Sequence, residues 1–210
     1  MRDNARTVVF AVVLALVCSV ILTATSLYTA PYRSANEKAE EVRNFLSALE
    51  VPVEADADAA ALLDVFDKNV RKRTLGDLPL YEYVPDVSGS ETPIAVAVPF
   101  SGPGLWGPIN GVLALEPDLS RIRGIRFYKH EETPGLGGEI SADWFQKRFV
   151  GKEILPGAGK DGLSIVKSGR KLGENSVDGI TGATMTCDRV QTMLAGLATA
   201  LGKERNNYVQ

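Results

Sequence analysis

DGITGATMT, residues 178–186, stands immediately before a C-terminal segment with periodic apolar residues. Four apolar side chains of that segment share the spacing of one helix face: Val190, Met193, Leu194 and Leu197. The first turn of a helix presents unpaired N–H groups and a partial positive charge, so it favours a phosphate. A hydroxyl at that point can bond to the phosphate or be esterified by it, and Thr184 and Thr186 are the two candidates.

The same stretch has a simpler interpretation as a glycine turn followed by a threonine N-cap. It is not a phosphate-binding P-loop, because no Lys-Ser or Lys-Thr pair follows Gly182. The residues by themselves therefore leave both a capping role and a phosphate-binding role open.

The composition limits the classes of function. The chain has 210 residues and a net charge of −3, enough length for one well-buried domain with additional elements. No basic stripe interleaved with aromatic residues suggests nucleic-acid binding. Cys18 and Cys187 stand in separate segments and predict no disulfide. With one histidine and no Cys-x-x-Cys pair, the sequence predicts no metal site.

An uncharged run extends from Thr7 to Tyr32, which is longer than the roughly 20 residues needed to cross a bilayer core. Arg2 and Arg6 precede it, so the positive-inside rule predicts a cytoplasmic N-terminus and an extracytoplasmic remainder. The alternative is a cleaved signal peptide, whose apolar region is shorter than this run. We therefore expect a retained single-pass anchor.

Two helices are expected after the anchor. A capping box that starts at Ser34 predicts the beginning of the first helix, and Pro52 predicts its end. Asp56 or Asp58 is expected to cap the second helix, which we predict to run to about Lys72. The polar tail of the chain, after residue 203, is expected to fray.

The middle of the chain predicts strands. Four short runs of apolar or alternating residues predict strands, and glycine and proline clusters separate them. The runs are residues 93–100, 111–115, 122–128 and 163–166. We expect a loop or a tight turn over 100–108 and a hairpin turn at Pro117-Asp118. No helix of crossover length separates the first three runs, so a mostly antiparallel sheet and an α+β fold are predicted. The predicted divisions of the chain are 1–33, 34–75 and 76–210.

A second unusual segment reads HEETPGLGGE at residues 130–139. Its glycines and proline predict a fixed backbone that can approach a planar ligand closely. It lacks the GxGxxG pattern of dinucleotide-binding folds, and a glycine-rich hairpin end is the alternative interpretation. His130 is expected at the surface end of a strand. Trp106, in the GLWG turn at 104–107, is expected in the core, with ligand stacking as the alternative.

Together these motifs resemble the FMN-binding domain family. TGATMT at 181–186 resembles the family's flavin-attachment motif, and ETPGLG at 132–137 resembles its flavin-contacting loop. The family includes C subunits of Na⁺-translocating NADH:quinone reductases and G subunits of Rnf electron-transport complexes. The loop, the GLWG turn and the N-terminal helices resemble the C subunits more, whereas the length of the chain is nearer to the G subunits.

The resemblance implies that a flavin transferase attaches FMN through its phosphate to Thr186. It also implies a set of residues that contact or flank the cofactor: Trp106, Glu132, Thr133, Leu136, Gly137, Lys167, Asp178, Gly182, Ala183 and Thr184. Lys171 is the alternative to Lys167 as the lysine near the phosphate.

The function implied by the resemblance is electron transfer. The chain would be an inner-membrane subunit whose periplasmic FMN-binding domain, residues 76–210, passes electrons from NADH towards ubiquinone. Other subunits would carry NADH, FAD and the path of the exported Na⁺. No side chain of this subunit then needs to act as a nucleophile or base. The alternatives are the Rnf complex, an anchored non-redox binding protein, and an anchored hydrolase that uses His130, Glu131 or Glu132.

Overall fold

The structure, a computed structural model, describes residues 2–54, 56–85, 92–155 and 162–209. The chain forms two compact units, Met1–Ala39 and Glu40–Gln210. The elements of the chain are helices α1 (Arg2–Ala48), α2 (Ala59–Asn69), α3 (Asp143–Gln146) and α4 (Thr184–Val209), and strands β1 (Val70–Leu75), β2 (Leu78–Tyr83), β3 (Ala95–Pro103), β4 (Pro108–Leu115), β5 (Ile122–Lys129), β6 (Ser164–Val166) and β7 (Ser176–Asp178). The predicted three-part division of the chain stays a prediction.

Helix α1 contains the predicted membrane anchor. Among the described residues, it is the one helix long and apolar enough to cross a membrane, and its most apolar window has a mean hydropathy of 2.8. The prediction of a separate helix that begins at Ser34 is wrong, since α1 continues through Pro31 and Ser34 without a break. Ser34 is not needed as an N-cap, because the N–H groups of the residues that follow it lie inside a continuous helix.

The end of α1 comes before the proline predicted to end it. Glu50 adopts a φ of 57°, the left-handed conformation that closes many helices. The Val51 N–H donates to the Leu46 carbonyl at 2.9 Å and the Glu50 N–H donates to the Ser47 carbonyl at 3.3 Å. This pair of bonds is the Schellman pattern, so the helix ends at Ala48 through its own C-cap rather than through Pro52.

Helix α2 begins as predicted and ends earlier. Asp58 caps it by accepting a hydrogen bond from the Ala61 N–H at 2.8 Å. The prediction that α2 reaches Lys72 is wrong, because β1 begins directly at Val70. The sequence interpretation missed β1 and β2, whose hairpin turns at Gly76 with a φ of +58°.

The main sheet has five antiparallel strands in the order β1-β2-β3-β4-β5. This confirms the predicted α+β class. The hairpin of β3 and β4 pairs as far as Pro103 with Pro108, so of the two alternatives predicted for residues 100–108 the structure has the tight turn, at 104–107. The turn at Pro117-Asp118 joins β4 to β5 as predicted. Strands β6 and β7 form a separate parallel pair.

Helix α4 packs on the sheet through the apolar face predicted for it. Val190, Leu194 and Leu197 are buried, and Met193 packs against the same core. The prediction that the tail frays after residue 203 is wrong, since α4 continues to Val209. The Tyr208 hydroxyl donates to the wholly buried Glu82 at 3.0 Å, and this contact holds the last turn of the helix to the sheet.

Candidate functional site

A pocket of about 320 Å³ opens where three segments meet: the β3–β4 turn, the loop after β5, and the start of α4. Residues from all three motifs line it: Leu105, Trp106, Glu132, Thr133, Leu136, Gly137, Gly182, Ala183, Thr184, Met185 and Thr186. Packing of α4 on the sheet therefore brings the start of α4 next to the loop after β5, about fifty residues earlier in the chain, and next to the β3–β4 turn, about eighty residues earlier.

The start of α4 separates the two threonine candidates. Gly182 has a φ of +80°, a conformation that favours glycine, and it turns the chain into the helix. Thr184 is the first helical residue and is exposed, whereas Thr186 lies in the first turn and is 1% exposed. The Thr186 hydroxyl donates a hydrogen bond to Glu132 Oε2 at 2.6 Å.

Glu132 joins the three segments of the pocket. Its side chain is buried, and Oε1 accepts hydrogen bonds from the Leu105 N–H at 2.6 Å and the Trp106 N–H at 3.3 Å. Its other oxygen accepts from Thr186. A single carboxylate therefore fixes the positions of the β3–β4 turn and of the Thr186 hydroxyl. The Gly104 N–H, which donates to the Gly107 carbonyl at 2.8 Å, closes the turn.

Two glycines leave the space in which these groups meet. A Cβ at Gly137 would lie 2.5 Å from Thr186 Oγ1 and 2.6 Å from Glu132 Oε2. A Cβ at Gly104 would lie 2.5 Å from Glu132 Oε1. All three distances are far below van der Waals contact, so the hydrogen-bonded arrangement requires glycine at both positions.

Large apolar side chains surround the mouth of the pocket. Trp106 is 69% exposed, and Leu105, Leu136 and Met185 are also exposed. The expectation that Trp106 belongs to the core is therefore wrong, because the tight turn carries its side chain to the end of the β3–β4 hairpin. Large exposed apolar side chains grouped around a concave site commonly mark a ligand-binding surface. The sequence interpretation missed Leu105 and Met185, which adjoin motif residues.

Two residues proposed for the site do not line this pocket. Asp178 ends β7, where its carboxylate forms an ion pair with Arg148 at 3.4 Å. The Arg148 guanidinium also donates to the Asp178 carbonyl at 2.7 Å and stacks over the Trp144 ring at 4.6 Å. These contacts between Arg148 and Asp178 fix the end of β7, just before the TGATMT segment at 181–186. Lys167 is exposed and directly follows β6.

Cys187, the neighbour of Thr186, is a packed residue. Its sulfur accepts a hydrogen bond from the Ile180 N–H at 3.4 Å, and burial raises the pKa of the thiol. A thiol that burial keeps protonated is a poor nucleophile and a poor metal ligand. No group of three or more metal-ligating side chains occurs in the described part of the chain.

Residues 104–198 match the sequence model of the FMN-binding domain family. The chain is similar to the C subunit of the Na⁺-translocating NADH-quinone reductase from Neisseria meningitidis, with 41% identity over 100 residues (48% of this chain, 39% of the relative). The same protein from Vibrio campbellii is 35% identical over 142 residues (67% of this chain, 49% of the relative). The matched part of the chain thus spans less than half the length of these relatives.

Solved structures show the same fold. Shewanella oneidensis NqrC superposes with a TM-score of 0.68 and 26% identity, over 82% of this chain and 98% of that protein. The C subunit of the Na⁺-translocating NADH-quinone reductase from Parabacteroides distasonis gives the same TM-score at 25% identity, over 83% of this chain and 95% of that protein. Residues 104–198 are therefore an FMN-binding domain by their match to the family model, and the chain is homologous to C subunits of Na⁺-translocating NADH-quinone reductases.

Proposed function

We propose that the chain is the FMN-carrying C subunit of a Na⁺-translocating NADH:quinone reductase, with FMN joined by a phosphoester to Thr186. The observation that carries the proposal is the position of the Thr186 hydroxyl. It lies in the first turn of α4, inside the pocket formed by the family's own motifs, and it is hydrogen-bonded to Glu132.

The residues of the pocket fit FMN at both of its ends. The N–H groups and the positive dipole of the first turn of α4 favour a phosphate, by about 0.3–1 kcal/mol for one negative charge at an exposed site. The absence of a side chain at Gly137 lets the loop pass close to the Thr186 oxygen, where a Cβ would lie only 2.5 Å away. The exposed faces of Trp106 and Leu136 suit a flat, largely apolar ring. When bound, FMN would supply the electron-transfer chemistry.

Attachment changes the role of Glu132. The Thr186 hydroxyl is its hydrogen-bond donor, and esterification of that oxygen removes the proton it donates. In the loaded protein, the Glu132 oxygen that accepts from Thr186 would therefore need another hydrogen-bond donor, since a buried acceptor without a partner is unfavourable.

The proposed cellular role follows from the anchor and from the relatives. Helix α1 holds the chain in the inner membrane with its N-terminus in the cytoplasm and its FMN-binding domain in the periplasm. A flavin transferase loads the domain. Partner subunits oxidise NADH, reduce ubiquinone and export Na⁺, and this subunit relays electrons between them.

The attachment test is co-expression of the full chain with a flavin transferase, followed by mass spectrometry of the peptide containing residues 178–189. The expected result is a mass increase of one FMN and flavin fluorescence in a denaturing gel, both lost in Thr186→Ala. Thr184→Ala is the matched control, because Thr184 is exposed in the same turn, and it should keep the flavin. An unmodified wild-type peptide in the presence of an active transferase would favour an anchored non-redox binding protein instead.

A second measurement separates the quinone reductase from the Rnf complex. Affinity purification of the native chain from its own membrane should recover an NADH-oxidising subunit that contains FAD. Recovery of iron–sulfur partners that accept electrons from ferredoxin would assign the chain to an Rnf complex.

A further inference from the structure

His130, the single histidine of the chain, links both ends of the loop that carries Glu132. Its Nδ1 accepts a hydrogen bond from the Glu132 N–H at 3.3 Å. Its Nε2 lies 3.3 Å from the Ser141 hydroxyl oxygen, eleven residues further along the chain. The imidazole therefore bridges the segment that contains the whole glycine-rich motif.

The hydrogen-bond partners assign one tautomer to this ring. A backbone N–H can only donate, so Nδ1 must be unprotonated to accept from Glu132. The Ser141 hydroxyl donates its own hydrogen to the Gly138 carbonyl at 2.9 Å, which leaves its oxygen lone pairs for His130. The network is complete only with the hydrogen on Nε2, which is the neutral Nε2–H form.

This link acts on the part of the loop that enters the pocket. The Gly138 carbonyl that receives the Ser141 hydrogen follows Gly137, the residue that packs against the Thr186 oxygen. The Gly138 N–H donates back to the Thr133 carbonyl at 2.9 Å. The backbone at Glu132 and the backbone at Gly137 are thus both fixed by one connected set of bonds that starts at His130.

We propose that His130 is a positioning residue of the site: in its neutral Nε2–H tautomer it fixes the backbone of Glu132, and so aims the carboxylate that holds the Thr186 hydroxyl and the β3–β4 turn. The importance of this role for cofactor attachment rests on the function proposed above. The positioning itself is a property of the protein without flavin and is measured without flavin.

The first readout is the tautomer. Selective ¹⁵N labelling of histidine in the full chain, in detergent micelles and without a histidine tag, gives signals from this ring alone. At alkaline pH we expect separate Nδ1 and Nε2 resonances, with the hydrogen coupled to Nε2. Averaged ring-nitrogen shifts, which report exchange between tautomers, or a hydrogen on Nδ1, would overturn the proposal.

The second readout is amide hydrogen exchange of residues 104–107, whose Leu105 N–H donates to the Glu132 carboxylate. His130→Ala should raise exchange there by about fivefold, the equivalent of one ordinary hydrogen bond. His130→Asn should rescue protection, because an asparagine side-chain oxygen accepts from the N–H two residues on in the same way. Equal exchange in wild type and His130→Ala, or failure of the asparagine variant to restore protection while it remains folded, would refute the role.

Loading with FMN distinguishes a failure of the positioning role of His130 from a failure of the proposed attachment at Thr186. His130→Asn, loaded by a flavin transferase in parallel with wild type, should gain FMN at a rate within about threefold of wild type, and His130→Ala should gain it more slowly. A wild-type chain that gains no FMN but shows the expected tautomer and exchange would remove the proposed function and support the positioning role.

Discussion

At Gly137, a single methyl group would collide with two polar groups of the candidate site. Gly137→Ala places a carbon 2.5 Å from Thr186 Oγ1 and 2.6 Å from Glu132 Oε2, so either the hydrogen bond or the loop must move. We expect a loss of about 1–3 kcal/mol in the free energy of unfolding, in the range of other overpacked sites. FMN attachment should also fall, as measured by in-gel fluorescence.

Gly196→Ala is the matched control. Gly196 is exposed within α4, and an added Cβ there meets no atom within 4 Å. Alanine should stabilise the helix by about 0.5–1 kcal/mol and leave attachment unchanged. If Gly137→Ala behaved like this control, the close approach of the loop to Thr186 would be wrong.

The charge of the Glu132 side chain and its ability to accept hydrogen bonds contribute separately to the free energy of unfolding. Glu132→Ala removes the acceptor for Leu105, Trp106 and Thr186, and should cost about 1–3 kcal/mol of stability because the buried Thr186 hydroxyl and two partly buried N–H groups lose their partner. Glu132→Gln keeps an oxygen for the two N–H groups and should lose much less. Chemical denaturation of both variants measures the difference, and equal losses would contradict the three-way role of the residue.

The sequence predicted most of the residues that line the pocket but not the exposure of Trp106 or the contact between Thr186 and Glu132. The residues of the TGATMT segment alone left Thr184 and Thr186 equivalent, because capping and attachment require the same residue types at a helix start, and the family resemblance was what singled out Thr186. The structure adds the burial of Thr186 and its hydrogen bond to Glu132, which is 54 residues away in the chain, so no local pattern reveals this contact. Trp106 was misplaced for a related reason, since a tryptophan in a glycine turn carries no signal of exposure.

At the scale of elements, the C-terminal end of α1 and strand β5 meet in a tyrosine–carboxylate contact. The Tyr128 hydroxyl donates to Glu41 at 3.3 Å. Burial and the adjacent Glu41 charge raise the pKa of Tyr128 to about 12. Above pH 10 the unfolded chain loses this proton while the folded chain keeps it, so the contribution of Tyr128 to stability falls as pH rises from about 10 to 12.

Glu41→Gln tests this contact. Removing the charge should lower the Tyr128 pKa, which should nevertheless stay above 10 because burial, the larger cause, remains. The measurement is an alkaline absorbance titration of tyrosinate, with a Tyr128→Phe chain subtracted to isolate this residue. An unchanged titration in Glu41→Gln would contradict the electrostatic part of the explanation.

The sequence predicted the elements with strong periodicity and missed those with polar faces. The apolar face of α4 and the three central strands were predicted correctly from spacing. The first residues of β1, to about Lys72, were assigned to the end of α2 because the cationic side chains at 71–73 suit the C-terminal end of a helix. The polar residues 71–74 are instead those expected of an edge strand that must resist pairing with other chains. Arg71 and Arg73 instead reach the buried Glu82, a tertiary contact that overrides local propensity.

At the scale of the whole molecule, the anchor predicts where the FMN-binding domain lies. The positive residues before the apolar part of α1 favour a cytoplasmic N-terminus. A reporter that works only outside the cytoplasm should therefore be active when it is fused after Gln210. Fusion of the same reporter before Met1 is the control and should be silent. The opposite pattern would reverse the topology and place the candidate site in the cytoplasm.

The hydrogen bond from Thr186 to Glu132 would connect the proposed flavin attachment to a change at the surface of the protein. If Thr186 carries the proposed phosphoester, that bond would exist only in chains without flavin. In the loaded chain the Glu132 carboxylate would need a different hydrogen-bond donor. Leu105 and Trp106 share that carboxyl through their N–H groups. If the proposed attachment is correct, the fluorescence of Trp106, recorded in a Trp144→Phe chain to remove the second exposed tryptophan, would distinguish chains without flavin from loaded chains.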